Sequence, residues 1–237
     1  PYQETVLSCG ASNSGKTALL QYLCNSGEKE NAWDPPMTVT SLVANVGYIS
    51  PWEGAGDDEQ NNTIRVIDYP GHPSLSSKLT TLLLPSATSR LVFTLDAAQS
   101  VTAGAALLYR SILTHSQVRQ SWTKEGKSLV ILVVCTKNDV KGAKNYKRMK
   151  IQLRNELDKL RKVDLAISES ADGDGGANGS SKATLKVKGK AIDLDNLGSD
   201  VPVSLHFVEA GFGMTAGKGG LEAVREFVLN GALPSVK

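Results

Sequence analysis

The sequence predicts an α/β fold of three layers, in which helices cover both faces of a mostly parallel β-sheet. Short apolar runs rich in Val, Ile and Leu recur along the chain and are typical of buried strands. Segments of helical period separate most of these runs, and strands that alternate with helices form parallel sheets. The predicted strands span residues 5–9, 41–49, 63–69, 90–96, 128–137 and 203–210.

The helices and the one exception to the parallel arrangement follow from the segments between these strands. The apolar period of helices appears in residues 15–23, 105–122, 147–162 and 221–231. Only the polar stretch 50–62 separates the second strand from the third, and it is too poor in helical pattern for a crossover. We therefore expect these two strands to form an antiparallel pair, with one antiparallel strand at the edge of the sheet.

Length and composition indicate one soluble domain that spans residues 1–237. Of the 237 residues, 41% are hydrophobic and 21% are charged, which is enough to build a full core. The formal net charge of +2 gives no general attraction to polyanions, so direct DNA binding is not expected. The Gly- and Ser-rich stretch 168–182 predicts a flexible insertion loop. The three cysteines, Cys9, Cys24 and Cys135, lie in apolar runs and are predicted to be buried thiols.

The stretch GASNSGKT matches the P-loop pattern, with an apolar strand before it and a helix after it. Its two glycines let the backbone approach phosphate, so that successive N–H groups and the helix N-terminus face anionic oxygens. Lys16 is then expected to reach the β- and γ-phosphates, and the Thr17 hydroxyl to bind Mg²⁺. The predicted P-loop comprises Gly10, Ala11, Ser12, Asn13, Ser14, Gly15, Lys16 and Thr17.

The stretch IDYPGH ends the third predicted strand and places Asp68 beside the P-loop. There the carboxylate is positioned to hold Mg²⁺ through water, while Gly71 presents a backbone N–H to a γ-phosphate. An ordinary Asp-x-Pro-Gly turn is the alternative interpretation, and the P-loop upstream disfavours it.

The stretch TKND, from Thr136 to Asp139, ends a further apolar strand and favours GTP over ATP. A carboxylate at Asp139 accepts hydrogen bonds from N1–H and the exocyclic amine of guanine, a pair of donors that adenine lacks. The stem of Lys137 is expected to pack on the base. A polar loop between strand and helix is the alternative interpretation.

These three motifs, in this order and at these strand ends, resemble the small GTPases of the Ras-like superfamily. Within it, DYPGH, the Pro-containing DPPMTVTS, the long insertion and the basic KVKGKAIDLDNL segment are most similar to the beta subunits of the signal recognition particle receptor, relatives of Arf and Sar. The resemblance implies a P-loop GTPase fold that binds GTP or GDP with Mg²⁺.

The resemblance also assigns residues outside the three motifs. It makes Thr38 the switch I threonine that completes the Mg²⁺ site in the GTP state, with Thr40 as the second candidate. The segment EAGFG replaces the usual SAK segment, which places the backbone N–H groups of Gly211 and Phe212 at the guanine oxygen. His72 stands where Ras has a water-positioning Gln, and we expect slow intrinsic hydrolysis from it. A solvent-facing loop histidine is the alternative.

By the same resemblance, the chain is a binding switch whose GTP state holds the N-terminal domain of the receptor alpha subunit through switch I and switch II. The implied setting is the cytosolic face of the endoplasmic reticulum membrane, with a membrane anchor preceding Pro1. The ribosome and the translocation channel are further implied partners. Two alternatives stay open: a vesicle-coat GTPase of the Arf or Sar type, and a P-loop nucleotide or metabolite kinase.

Overall fold

A six-stranded sheet forms the centre of the molecule. The computed structural model describes residues 4–25, 37–50, 63–171, 191–197, 201–213 and 220–234, with residues 169–171 described by their backbone alone. The strand order is β2-β3-β1-β4-β5-β6, and the only antiparallel pair among the described strands is β2 with β3. The predicted mostly parallel sheet with an antiparallel edge strand is confirmed. The strands are β1 (Thr5–Gly10), β2 (Asn45–Ile49), β3 (Ile64–Asp68), β4 (Arg90–Asp96), β5 (Leu129–Thr136) and β6 (Val203–Glu209).

Helices pack on both faces of the sheet. Strand β5 shows why, because its side chains alternate between two separate cores: Ile131 and Val133 belong to one, Leu132 and Val134 to the other. The first core is closed by α2 to α5, and the second by α1 and α6. The helices are α1 (Lys16–Asn25), α2 (Ser76–Leu82), α3 (Thr102–Leu108), α4 (Ser116–Lys124), α5 (Tyr146–Ala171) and α6 (Leu221–Asn230).

Three helical segments differ from the prediction. The helix predicted over 105–122 is two helices, because a π-helical stretch (109–113) follows α3 and Thr114 then donates both its N–H and its hydroxyl to Tyr109 O. Helix α2 was not predicted, since SSKLTTL is short and poor in strong helix formers. Helix α5 runs to Ala171, so the first residues of the predicted loop 168–182 are helical. Residues 172–182 lie outside the described residues, and their flexibility stays a prediction.

The cysteines differ in exposure. Cys9 and Cys135 are buried as predicted, whereas Cys24 is exposed, so the prediction of three buried thiols is wrong for this residue. Cys24 lies in the last turn of α1, which extends past the edge of the core formed by Leu19, Leu20 and Leu23. Within the described part of the chain, no helix is long and apolar enough to cross a membrane.

The parallel strands bring their carboxyl ends to one edge of the sheet. In an open α/β sheet, this edge is where ligands bind. The two central strands β1 and β4 pair with each other and with β3 and β5, so the ends of four neighbouring strands meet there. The strand ends at this edge are Gly10, Asp68, Asp96, Thr136 and Glu209.

Candidate nucleotide-binding site

The P-loop leaves β1 through backbone conformations that favour glycine. Gly10 and Gly15 have φ of +153° and +83°, and a Cβ on Gly10 would lie 2.5 Å from Thr94 O. Asn13 adopts the left-handed region as well, with φ of 61°. The two glycines of the motif are thus required by the turn itself, before any ligand is considered.

Side chains on the neighbouring strands hold the P-loop in place. Ser14 Oγ lies 2.6 Å from Thr94 Oγ1 and donates to Ala11 O. The buried hydroxyl of Thr136 donates to Ser14 O at 2.8 Å and to Leu95 O at 3.1 Å. The Thr136 side chain therefore fixes the P-loop backbone at Ser14 to the neighbouring strand β4.

Lys16 is almost fully buried at the start of α1. Its Nζ donates to Ala11 O at 2.8 Å, which places a positive charge inside the P-loop. Burial lowers the pKa of Lys16, and the nearby Asp68 carboxylate acts in the opposite direction. An anion held by the loop would remove this ammonium from its contact with Ala11 and stabilise its charge.

A carboxylate and a hydroxyl meet beside the P-loop. Thr17 Oγ1 donates to Asp68 Oδ2 at 2.7 Å. Asp68 is 1% exposed, and no described residue hydrogen-bonds its Oδ1. A buried oxygen without a partner costs free energy, and hydroxyl and carboxylate oxygens are the donors that Mg²⁺ prefers. The pair fits a magnesium site, which Thr17 and Asp68 would hold, and a bound metal with its water would give Asp68 Oδ1 a partner.

Two residues that the sequence analysis did not select complete this corner. Asn45 Nδ2 donates to Asp68 Oδ2 and to Ser41 Oγ, both at 3.1 Å. Ser41 Oγ in turn lies 3.5 Å from Thr17 Oγ1. Ser41 belongs to the segment 37–44, which we call switch I, and its hydroxyl links that segment to Thr17. The sequence offered one signal for these two residues: the hydroxyl residue Ser41 lies four positions before Asn45, the first residue of β2.

The segment after β3 runs directly against the P-loop. A Cβ on Gly71 would lie 2.6 Å from both Gly10 O and Ser12 N, so only glycine allows this approach. His72 is exposed and caps a short 3₁₀-helix: Ser74 N donates to its Nδ1 at 3.3 Å, and Ser74 Oγ lies 2.6 Å from the same atom. In this conformation the imidazole is bonded to its own loop.

The TKND residues form the other end of the site. Lys137 has a left-handed φ of 57°, and its Nζ donates to Asn13 O and to Asp96 Oδ2, each at 2.7 Å. Gly213 N donates to Asp139 Oδ2 at 3.3 Å, and a Cβ on Gly211 would lie 2.5 Å from Asp139 Oδ1. The segment after β6, which we call the base-closing loop after its predicted role, is therefore closely packed around the Asp139 carboxylate.

Phe212 points from this loop towards α1. Its ring centroid lies 5.9 Å from that of Tyr22, with the planes tilted by 51°. This contact joins the loop that surrounds Asp139 to the helix that begins with the P-loop lysine.

Most of the predicted residues face one cavity of about 260 Å³, whereas Gly10, Ala11 and Asp68 do not line it. The P-loop, the TKND residues, the base-closing loop, switch I and Gly71 all contribute to its wall. His72 is not among the described residues that line it. The lining includes Ser12, Asn13, Ser14, Gly15, Lys16, Thr17, Thr38, Thr40, Ser41, Gly71, Thr136, Lys137, Asp139, Gly211 and Phe212.

A family model described as Signal recognition particle receptor beta subunit matches residues 1–201. The match covers most of the 237 residues. The chain belongs to this family.

Individual members of the signal recognition particle receptor beta family are similar over most of the chain. The beta subunit of Mus musculus is 27% identical over 210 residues, which are 87% of this chain and 68% of the mouse protein. The structure of the mammalian receptor has a TM-score of 0.66 at 25% identity and covers 96% of this chain and 100% of that one. The SRb-GTP/SRX complex of Chaetomium thermophilum has a TM-score of 0.60 at 21% identity, with 93% and 97% covered, and shares the fold.

Proposed function

We propose that the chain is the GTP-binding switch subunit of the signal recognition particle receptor. The observation that carries this proposal is that three groups meet at one cavity: most of the P-loop and Asp139 line it, and Thr17, which lines it too, donates to the buried carboxylate of Asp68. They are matched to the phosphates, the metal and the base of one guanine nucleotide. Membership of the beta subunit family supports the same conclusion.

Each part of the nucleotide has a group in the chain that suits it. The P-loop N–H groups and Lys16 would hold the phosphates, and Asp139 with the stem of Lys137 would hold guanine. Thr17 and Asp68 would hold Mg²⁺, which supplies charge neutralisation at the phosphates when bound. The backbone N–H groups of Gly211 and Phe212 would close over the base.

Intrinsic hydrolysis by this site should be slow. The His72 ring caps the 3₁₀-helix through Ser74 and must leave that contact before it can reach the cavity. A group that positions water contributes to the rate only when it lies within hydrogen-bond reach of that water. The main role that we propose for the chain is therefore to bind a partner in its GTP state, and slow GTP hydrolysis would end that state.

The partner we propose is the N-terminal domain of the receptor alpha subunit. Switch I carries four exposed apolar side chains, Met37, Val39, Leu42 and Val43, of which Val39 is 87% exposed and lines the cavity. Exposed apolar clusters of this kind mark protein interaction sites. The relative in complex with SRX supports a partner at the GTP-bound beta subunit. The proposed setting is the cytosolic face of the endoplasmic reticulum, near ribosomes and the translocation channel.

Two measurements test the proposal. The nucleotide that copurifies with the chain should be GTP or GDP, and a kinase would instead carry an adenine nucleotide or none. Binding to the alpha-subunit domain should require a non-hydrolysable GTP analogue and be weak with GDP, because only the γ-phosphate orders switch I. Capture of coat components in place of the alpha subunit would favour the Arf or Sar alternative.

A matched pair of variants locates the binding surface. Leu42→Asp places a charge in the apolar row of switch I, whereas Ile151→Asp places one on the exposed face of α5. We expect the first variant to lose the alpha-subunit domain and the second to retain it. Equal binding by both variants would exclude switch I as the contact surface.

A further inference from the structure

The ammonium of Lys137 is held from two sides. Asp96 Oδ2 and Asn13 O each accept from Lys137 Nζ at 2.7 Å. Asp96 is the last residue of β4, and its side chain is 10% exposed, compared with 31% for Lys137. Its other oxygen, Oδ1, accepts from Ala98 N at 2.9 Å. Both carboxylate oxygens are therefore bonded, and the group has a single fixed orientation.

We infer that Asp96 is a positioning residue, which fixes Lys137 across the base subsite and so sets how long a guanine nucleotide stays bound. The inference deepens the proposed function and rests on it. Lys137 and Asp139 both line the cavity, so a lysine stem tied down at its far end stays extended along this wall. A free lysine side chain samples many rotamers, and it would lose this freedom each time a base packed on it. The Asp96 contact removes most of that loss before the nucleotide arrives.

The carboxylate of Asp96 is not needed to hold its own strand. The backbone at this point is fixed by the ladder that pairs Asp96 with Thr136, and Ala97 N donates to Thr136 O at 2.9 Å. The negative charge of Asp96 instead pairs with the Lys137 ammonium. It is also the better partner of the two, because the opposite charges of Asp96 and Lys137 attract each other in addition to their hydrogen bond, whereas the Asn13 carbonyl carries no net charge.

A comparison with a second lysine pair in the chain shows what is special about this one. Lys127 Nζ lies 3.1 Å from Glu125 Oε2, but their side chains are 65% and 42% exposed. Such surface pairs contribute little because water screens them and both side chains stay mobile. The pair of Lys137 and Asp96 is shorter, less exposed and bridged to the P-loop, so it can hold a side chain in position.

The experiment measures dissociation of a fluorescent GDP from the full chain with Mg²⁺. Asp96→Asn keeps the shape and the acceptor for Ala98 N–H but removes the charge, and dissociation should be on the order of 10-fold faster. The same comparison is made with fluorescent IDP, which lacks the exocyclic amine. Asp96→Asn should accelerate IDP dissociation by the same factor as GDP dissociation, because Lys137 would pack on the plane of the base and not on that amine. Asp96→Glu, which keeps the charge, should recover part of the effect. Glu125→Gln is the matched control and should change nothing.

A double-mutant cycle separates positioning from a structural role. In a Lys137→Ala background, Asp96→Asn should have no further effect on dissociation, since the side chain it acts through is gone. An equal acceleration in both backgrounds, or an unchanged rate in Asp96→Asn, would overturn the inference while the proposed function stands. A parent chain that binds no guanine nucleotide would overturn the proposed function, and this inference with it.

Discussion

The side-chain amide of Asn45 donates to Asp68 Oδ2 at 3.1 Å, which joins the first residue of β2 to the last residue of β3. The antiparallel register sets this contact, because it pairs the two residues directly. The same amide donates to Ser41 Oγ, and Thr17 donates to the same Asp68 oxygen. One amide thus couples switch I to the proposed Mg²⁺ site.

The first prediction concerns this amide. Asn45→Ala removes one donor to Asp68 and one to Ser41, so the Asp68 carboxylate loses part of its orientation. A single hydrogen bond to a charged group is worth about 1.5–3 kcal/mol. We expect Mg²⁺ affinity of the nucleotide complex to fall by roughly 10-fold or more. Titration of Mg²⁺ against nucleotide release measures this.

The matched control for Asn45 is Asn230→Ala. Asn230 Nδ2 donates to the exposed Glu226 at 3.0 Å, in an ordinary helix-surface contact. This variant should leave Mg²⁺ affinity unchanged. If both variants behave alike, the Asn45 amide has no special link to the metal.

The second prediction ranks the hydroxyls of switch I. Thr38 is the residue that the family resemblance selects, with Thr40 second, whereas Ser41 contacts Thr17 in the structure. Thr38, Thr40 and Ser41 are each replaced by Ala, and binding of the alpha-subunit domain is measured with a GTP analogue. The variant that lacks the γ-phosphate-sensing hydroxyl should lose partner binding but keep GDP affinity, since GDP offers this segment no γ-phosphate. Full binding by Thr38→Ala would assign the role to Thr40 or Ser41.

The third prediction concerns base recognition by Asp139. Asp139→Asn replaces an acceptor for two guanine donors with an amide that presents a donor to one of them. We expect GDP affinity to fall by about 10²-fold, which corresponds to roughly 3 kcal/mol, and preference to shift towards xanthine nucleotides. Competition between GDP and XDP measures both effects. Unchanged GDP affinity in a folded variant would remove Asp139 from the base site.

The fourth prediction tests the packing of the base-closing loop. Gly211→Ala places a Cβ 2.5 Å from Asp139 Oδ1, so the carboxylate or the loop must move. Guanine affinity should fall while the fold is retained. Gly142→Ala is the control, because its Cβ would meet nothing within 4 Å, although its φ of +87° makes it slightly destabilising. It should melt at a somewhat lower temperature with unchanged nucleotide affinity.

The fifth prediction concerns His72. Because its ring caps the 3₁₀-helix through Ser74, His72→Ala should lower single-turnover hydrolysis by less than about 10-fold and leave partner binding intact. A group already positioned as a general base typically contributes about 10²- to 10⁴-fold. A loss of that size would show that the imidazole leaves its cap during the reaction.

Most of the fold, and the three motifs at the strand ends that form the candidate site, could be predicted from the sequence. Strand periodicity and the position of Gly10, Asp68 and Thr136 at strand ends depend on local patterns, which are visible in the sequence without any knowledge of tertiary contacts. The split of the predicted helix at Thr114 was missed, because a helical apolar period continues on both sides of it.

The missed site residues depend on register. Asn45 is a polar residue at a strand start, and its meaning appears only when β2 pairs with β3 and brings it to Asp68. Asp96 is likewise one carboxylate among many until β4 and β5 lie side by side. Contacts across a sheet come from pairing, which single-strand patterns do not contain.

The uneven burial of the three thiols makes the native chain suitable for labelling at one position. Burial raises the pKa of Cys9 and of Cys135 to about 12, so neither offers a thiolate near neutral pH. Cys24 is the exposed thiol, although partial burial raises its pKa as well, and it lies against Gly47 in the middle of β2, where a Cβ would come within 2.5 Å of its sulfur. A maleimide dye should attach there without any engineered cysteine, and it would sit beside the strand that follows switch I. Its fluorescence would then follow the exchange of one nucleotide for another in real time.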